Sequence, residues 1–280
     1  MARRLVIMMV CLASLVSVAS CVPVATRGVS ARPVAVLGAS SQDIAELEAR
    51  LAEAVSLEFE GIQFTSGRIA GRSAVVAWTG IGKVNAAMVA TLLIEHFQPT
   101  RVVLTGIAGA IEPNLEPGDI VVARRTAHHD MGYIGPVGLE PGGVRNRLTE
   151  ETNPTFFPAD PDLLAAARHA ASTTTFDPID HFNGQRPPRV VVGTLVTGDT
   201  FVASKTQSRR LAEMFDADVV DMEGAAVVQI CHQRGIGCLV LRSIADKADD
   251  SAVVDKQKFY ALAAKNAARL VVEVLANLGE

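Results

Sequence analysis

The chain has 280 residues, 49% of them apolar and 20% charged, which is enough for a full-sized core and excludes an intrinsically disordered chain. Lys and Arg number 26 against 30 Asp and Glu, a formal net charge of −4, and that balance is wrong for a surface that neutralises nucleic-acid phosphates. Four cysteines exclude a disulfide scaffold, and the one long apolar run, Leu5 to Ala19, is short for a membrane span.

That run opens the chain. Arg3 and Arg4 form a positive n-region, Leu5 to Val18 an apolar h-region, and Val18-Ala19-Ser20 places small residues before Cys21. The segment resembles the leader of bacterial lipoproteins, in which the cysteine becomes the acylated first residue. The resemblance implies a leader over residues 1–20, lipidation at Cys21 and a membrane partner through the lipid anchor. It also implies an exported protein on the periplasmic side or the cell surface. Each acyl CH₂ buried in the membrane contributes about 0.8 kcal/mol to such anchoring. An ordinary signal peptide that happens to precede a cysteine is the alternative. Residues 21–32, with Pro, Gly, Ser and Thr, read as a tether, and residues 33–280 as a single domain. Cys231 and Cys238 lie in apolar surroundings and read as buried thiols.

Pro33 to Gly38 reads as a short buried strand ending in glycine. Ser40 or Ser41 is an N-cap for a helix on which Ile44, Leu47, Leu51 and Val55 recur. Gly61 to Arg72 alternates and turns as a hairpin does, and Ser73 to Trp78 is a strand. Gly80-Ile81-Gly82-Lys83 leads into a helix from Val84 to Phe97. Arg101 to Leu104 is an apolar strand running into Thr105-Gly106-Ile107-Ala108-Gly109, and Pro117-Gly118-Asp119 turns into strand Ile120 to Ala123. From His128 to Pro161 the periodicity breaks, and a loop of that length in a compact domain is often functional. Helices are expected over Pro161 to Ala171, Ser208 to Phe215, Glu223 to Arg234 and Gln257 to Leu278. Strands are expected over Arg189 to Val196, Ala217 to Asp221 and Cys238 to Ile244. The alternation predicts an α/β protein: a three-layer α/β/α domain with a central mixed, mostly parallel twisted sheet.

Several chemical signatures fail. Asn85 stands where a dinucleotide-binding loop needs its third glycine, Gly82-Lys83 lacks the following Ser/Thr of a P-loop, and no zinc-binding His-Glu-x-x-His helix occurs. His128-His129-Asp130 has metal-ligand residue types, but neighbours on an extended chain point to opposite sides, so a loop-surface or structural role is expected. Neither a cofactor nor a metal is expected. What remains is a set of polar residues at strand ends, where open α/β sheets bind ligands: Asp43, Ile107 to Gly109, Asp199 to Phe201, Asp221 to Gly224, and Arg242 to Asp246.

Eight segments, in order, resemble the purine nucleoside phosphorylase/nucleosidase superfamily. They are Val36-Leu37-Gly38-Ala39, Thr79-Gly80-Ile81-Gly82-Lys83-Val84-Asn85, Thr105-Gly106-Ile107-Ala108-Gly109, Gly118-Asp119-Ile120-Val121-Val122, Gly198-Asp199-Thr200-Phe201, Val220-Asp221-Met222-Glu223-Gly224, Arg242-Ser243-Ile244-Ala245-Asp246 and Phe259-Tyr260-Ala261. The likeness is greatest to the branch that cleaves 5′-methylthioadenosine and S-adenosylhomocysteine. It implies a purine nucleoside substrate, with Asp246 as general acid to the purine and Glu223, beside Met222, gripping the ribose hydroxyls. It further implies Phe201 stacking on the base, Val202 meeting the purine edge through its backbone, Arg242 ordering the strand end, and Ile107, Ala108 and Gly109 lining the site. Such an acid needs a pKa raised by burial to hold its proton near neutral pH. Asp43 occupies the position of the family's water-activating glutamate, one methylene shorter, with Glu46 one turn on as a substitute. Ile107, Ala245 and Lys256 replace a serine, a hydroxyl residue and an aromatic, so the 5′ specificity departs from the branch. The family implies a homo-oligomer, a dimer being favoured.

Water is favoured over phosphate as the nucleophile, because neither the first nor the third strand turn carries an Arg. Ser40 and Ser41 at a helix N-terminus keep phosphorolysis open. A nucleoside-binding lipoprotein with little catalysis is the other alternative, and the paired Asp246 and Glu223 argue against it.

Overall fold

The computed structural model describes residues 32–181 and 184–279. The expected leader, Cys21 and all of the tether except Arg32 lie outside them.

The first strand, β1 (Val34–Gly38), is buried along its whole length. Gly38 is required there: a Cβ would lie 2.7 Å from Ile44 Cγ2 and 2.8 Å from Asp43 Cβ, so only glycine lets the next helix fold back over the strand end. That helix, α1 (Ser41–Glu48), is shorter than its apolar spacing suggests. Leu51 falls after it and Val55 lies in strand β2 (Ala52–Phe59). Two two-residue turns decide this. Glu60-Gly61 and Ala70-Gly71 all have positive φ, the geometry of type I′ hairpin turns, and they fold β2 onto β3 (Ile62–Ile69) and β3 onto β4 (Arg72–Trp78). Pairing across the hairpins overrides a helical pattern carried by only two residues.

The remaining elements follow in order: α2 (Lys83–Phe97), β5 (Arg101–Thr105), β6 (Ile107–Ala110), β7 (Ile120–His128), β8 (Gly132–Gly135), β9 (Gly138–Pro141) and β10 (Phe156–Pro158). Then come α3 (Pro161–Thr173), β11 (Ile179–His181), β12 (Gly184–Arg186), β13 (Val190–Thr197), α4 (Lys205–Phe215), β14 (Val219–Asp221), α5 (Gly224–Gln233), β15 (Gly237–Asp246) and α6 (Ala252–Asn277). The expected functional loop after His128 carries three short strands, β8, β9 and β10. Its β8–β9 hairpin exposes Tyr133, Ile134 and Val137 to solvent.

The fold is α/β with a mixed sheet, and the departure from the expected three-layer arrangement is that part of this sheet closes on itself. One sheet of 11 strands runs β10-β7-β13-β14-β6-β15-β5-β1-β4-β3-β2. In it β15 also pairs antiparallel with β7, through Leu241↔Val122 and Arg242↔Val121, so β7, β13, β14, β6 and β15 close into a ring. Length permits the closure: β15 pairs with β5 over Gly237 to Val240 and with β6 from Ser243 to Asp246. Register shifts at Gly193/Thr194 and Ile244/Asp246 supply the bends, as bulges do. Strand alternation feeds two cores. Ala35 and Leu37 join the packing of α2 and α5, whereas Val34 and Val36 join that of α1, α3 and α6.

Candidate active site

The ends of β1, β13, β14 and β15, with β6, surround a cavity of about 330 Å³. Its wall includes Ser40, Ser41, Ile81, Ile107, Ala108, Gly109, Phe201, Val202, Met222, Glu223, Asp246 and Tyr260. The expected stacking residue Phe201 is 44% exposed on that wall, and Val202 beside it is buried. Among the described residues, no Lys or Arg lines the cavity, nor does any residue of the 129–160 segment.

Asp246 ends β15 and is buried, and its Oδ1 accepts from the Ala248 N–H at 2.8 Å. The turn that presents this N–H is tied down in turn, since Ser208 Oγ donates to the Ala248 carbonyl at 2.6 Å. Gly109 makes room for the acid: a Cβ there would sit 2.8 Å from Asp246 Oδ1.

Glu223 is the N-cap residue of α5 and is buried. Its Oε1 accepts from the Gly82 N–H at 2.9 Å and its Oε2 from Arg242 Nη2 at 3.1 Å. Each carboxylate oxygen has a second acceptor direction, which leaves capacity for two hydroxyl protons. Burial is the largest influence on Glu223 and pushes its pKa up to about 7, with Arg242 pulling the other way. Only the ionised form accepts both hydroxyls. We therefore expect kcat/KM for a ribonucleoside to rise about tenfold per pH unit below 7 and to level off above it. A Glu223→Gln variant should lose that limb of the profile, and a pH-independent wild-type rate between 5.5 and 7 would contradict the assignment.

Two expected site residues stand behind the wall rather than on it. Arg242 is fully buried on β15. Its Nε donates to Asp221 Oδ2 at 2.9 Å, its Nη1 to the Thr105 carbonyl at 2.7 Å, and its Nη2 lies 2.7 Å from Asp221 Oδ2. Burial works against its charge, but Asp221, Glu223 and Asp43 together hold its pKa above the ordinary value. Asp221, which sequence reasoning noted as a strand-end acid without giving it a role, is anchored by Thr197 Oγ1 at 2.6 Å and the Gly224 N–H at 2.9 Å. Asp43, on α1, is 1% exposed and does not line the cavity. Its Oδ2 accepts from Ser40 N at 2.8 Å and Ser40 Oγ at 3.1 Å, a capping box, and its Oδ1 accepts from the Tyr260 hydroxyl at 3.0 Å. Gly106, with φ +137°, keeps Asp43 and Arg242 close, since a Cβ there would collide with Arg242 Nη1 and lie 3.2 Å from Asp43 Cγ. Glu46, the proposed substitute, is not among the lining residues either.

Tyr260 is the member that sequence reasoning passed over. The chain has only two tyrosines, and this one lies within a segment already matched to the family, which was the available signal. The His128-His129-Asp130 run is not a surface loop. His128 ends β7, both histidines are buried, and His128 Nε2 lies 3.0 Å from Gln229 Oε1. Asp130 pairs with Lys83 at 2.6 Å. Among the described residues, no cluster of His, Cys, Asp and Glu could hold a metal ion.

The family model for the phosphorylase superfamily matches residues 33–276. A 5′-methylthioadenosine/S-adenosylhomocysteine nucleosidase of Mycobacterium bovis is 34% identical over 230 residues, covering 80% of this chain and 89% of that protein. The structure of the Neisseria meningitidis nucleosidase of the same name, in complex with methylthio-immucillin-A, superposes with a TM-score of 0.75 at 33% identity. It covers 88% of this chain and 99% of that one. Futalosine hydrolase of Helicobacter pylori superposes with a TM-score of 0.74 at 27% identity, over 87% of this chain and 97% of that one. These matches correct the expected localisation. The similar proteins are methylthioadenosine/S-adenosylhomocysteine nucleosidases, and among the described residues no helix is long and apolar enough to cross a membrane. The exported, membrane-anchored placement is withdrawn on these matches, and lipidation at Cys21 falls outside the described residues.

Proposed function

The chain belongs to the phosphorylase superfamily, and from that premise we propose that it hydrolyses the N-glycosidic bond of purine nucleosides, releasing free base and sugar. Relatives named as nucleosidases on both the sequence and the structural side support this reading. The single observation that carries it is one cavity walled by a buried acid, a buried carboxylate and an aromatic ring, with no cation among its described lining residues.

Cleavage passes through a sugar with oxocarbenium character, so charge must be managed at both ends of the bond. Asp246 gives a proton to the purine N7, and the base leaves neutral. Glu223 accepts from the two ribose hydroxyls and places negative charge beside the developing cation. Phe201 stacks on the base and Val202 meets its edge, while Met222, Ile107, Ala108 and Gly109 shape the wall. A phosphate nucleophile would need cationic or multiple N–H ligands at this wall. The described lining supplies neither Lys nor Arg, which favours water over phosphate as the nucleophile.

The substrates proposed are methylthioadenosine, S-adenosylhomocysteine or adenosine. The test is base release from these and from inosine, with and without phosphate. Free adenine and free sugar without phosphate are expected. A sugar 1-phosphate formed only with phosphate would replace the reading with phosphorolysis. Release of no base from a nucleoside that binds would leave a binding protein.

A further inference from the structure

Hydrolysis, on which the following rests, leaves one step without an obvious group at the cavity wall: removal of a proton from water. Asp43 stands where the family's base belongs, yet it is buried off the wall with both carboxylate oxygens already accepting hydrogen bonds. The residues that line the cavity beside it are Ser40 and Tyr260, whose hydroxyl oxygens lie 2.6 Å apart. Both hydroxyls contact Asp43, at 3.1 Å from Ser40 and 3.0 Å from Tyr260.

We propose that Ser40 is the water-facing member of the base, relaying the proton of the attacking water to Asp43, with Tyr260 as the positioning residue that holds the pair. Ser40 has one hydroxyl proton and lone pairs left to accept another. As a water in the cavity loses a proton to Ser40 Oγ, the serine's own proton passes to Asp43 Oδ2. The water oxygen bonds to C1′ while the C1′–N9 bond breaks, and that electron pair leaves with the purine. The purine N7 takes the proton of Asp246. One proton is gained at Asp43 and one is given up at Asp246, and exchange with solvent restores both.

Tyr260 suits the holding role because it does not itself ionise. Burial first, then the negative charge of Asp43, push its pKa up to about 12. It therefore keeps its one proton, shared between Ser40 Oγ at 2.6 Å and Asp43 Oδ1 at 3.0 Å, and the Ser40 proton is left for Asp43 Oδ2. The arrangement also answers the missing methylene. A carboxylate roughly 1 Å short of its reactant loses on the order of 10²-fold in rate, and a hydroxyl placed between the two restores the connection.

The experiment uses Ser40→Ala, Tyr260→Phe, Asp43→Glu and the double variant Ser40→Ala/Asp43→Glu, assayed for phosphate-free base release beside the unmodified protein and Asp246→Asn. Ser40→Ala is expected to lower kcat about 10²-fold, the size of a lost proton-transfer group, with KM within about twofold. Tyr260→Phe is expected to lower it about tenfold, because the base is still present but less well held. In Asp43→Glu the longer carboxylate reaches the wall itself, so removing Ser40 there should cost less than about threefold. An undiminished kcat in Ser40→Ala, or the same loss in both backgrounds, would overturn the relay. If Asp43→Glu does not fold, added formate decides the matter. It takes the water's proton in place of Ser40, so rescue of Ser40→Ala by about tenfold supports the relay and no rescue overturns it. Activity of the unmodified protein separates the two levels. No base release from it defeats hydrolysis, whereas full release with an indifferent Ser40 defeats the relay alone.

Discussion

Asp246→Asn should abolish base release, by about 10³-fold or more in kcat, while the protein melts within a few degrees of the unmodified chain. The factor is that of a general acid acting in the transition state, and 10³ corresponds to about 4 kcal/mol of barrier. The fold should survive because asparagine is nearly isosteric and keeps an oxygen to accept from the Ala248 N–H. Ser208, which holds the other side of that turn, is untouched. What asparagine lacks is a proton it can give to N7. The chemistry supplies its own control: a riboside whose leaving group needs no proton, such as a nitrophenolate, should be cleaved by Asp246→Asn at a rate close to the unmodified protein's. Equal losses on both substrates would mean that Asp246 shapes the wall rather than protonating the base. An unchanged rate on adenosine would remove it from the mechanism.

The strand-end residues were legible in the sequence because their chemistry is local. Asp246, Glu223 and Phe201 each follow an apolar strand within a few residues, so the strand prediction alone brings them to the same edge, and they do line one cavity. What the sequence concealed depends on contacts between distant segments. Tyr260 meets Ser40 across 220 positions, and nothing in its helix marks which face turns toward α1. Closure of the sheet depends on β15 pairing with β7, a choice set by strand length and two register shifts rather than by composition. The helix expected through Leu51 and Val55 failed for a related reason. Two positive-φ turns commit residues 52–78 to a three-stranded meander, and the pairing gained there outweighs two apolar positions. Arg242 was legible as a residue that orders the strand end, but its partners were not. Its neighbourhood became clear only when Asp221, Glu223 and the Thr105 carbonyl converged on it.

Arg242→Met should be the most destabilising single change near the site. Arg242 is fully buried between Asp221 and Glu223, also buried, and removing a buried cation leaves its carboxylates uncompensated, which costs about 3–5 kcal/mol. For a chain of this size that lowers the melting temperature by on the order of 10 °C. Asp221 retains Thr197 Oγ1 and the Gly224 N–H, so part of its compensation survives. Glu223 retains only the Gly82 N–H among the bonds described for it. Its pKa, already about 7 with the guanidinium beside it, should then rise further, because the largest downward influence is gone. The direction of the pH effect follows. A carboxyl whose pKa is raised by folding destabilises the native state as it ionises, so Arg242→Met should be least stable above pH 7 and recover on acidification. Its kcat/KM should move the opposite way, with the rising limb shifted to higher pH because ribose binding needs ionised Glu223. Arg242→Lys should fall between the two, since one ammonium keeps the charge but cannot span Asp221, Glu223 and the Thr105 carbonyl together. Denaturant unfolding and the pH–rate profile of the same three proteins measure both effects. A methionine variant within about 1 kcal/mol of the parent would show the pair to be worth no more than an exposed one. An unmoved rising limb in that variant would show that Arg242 does not set the protonation state of Glu223.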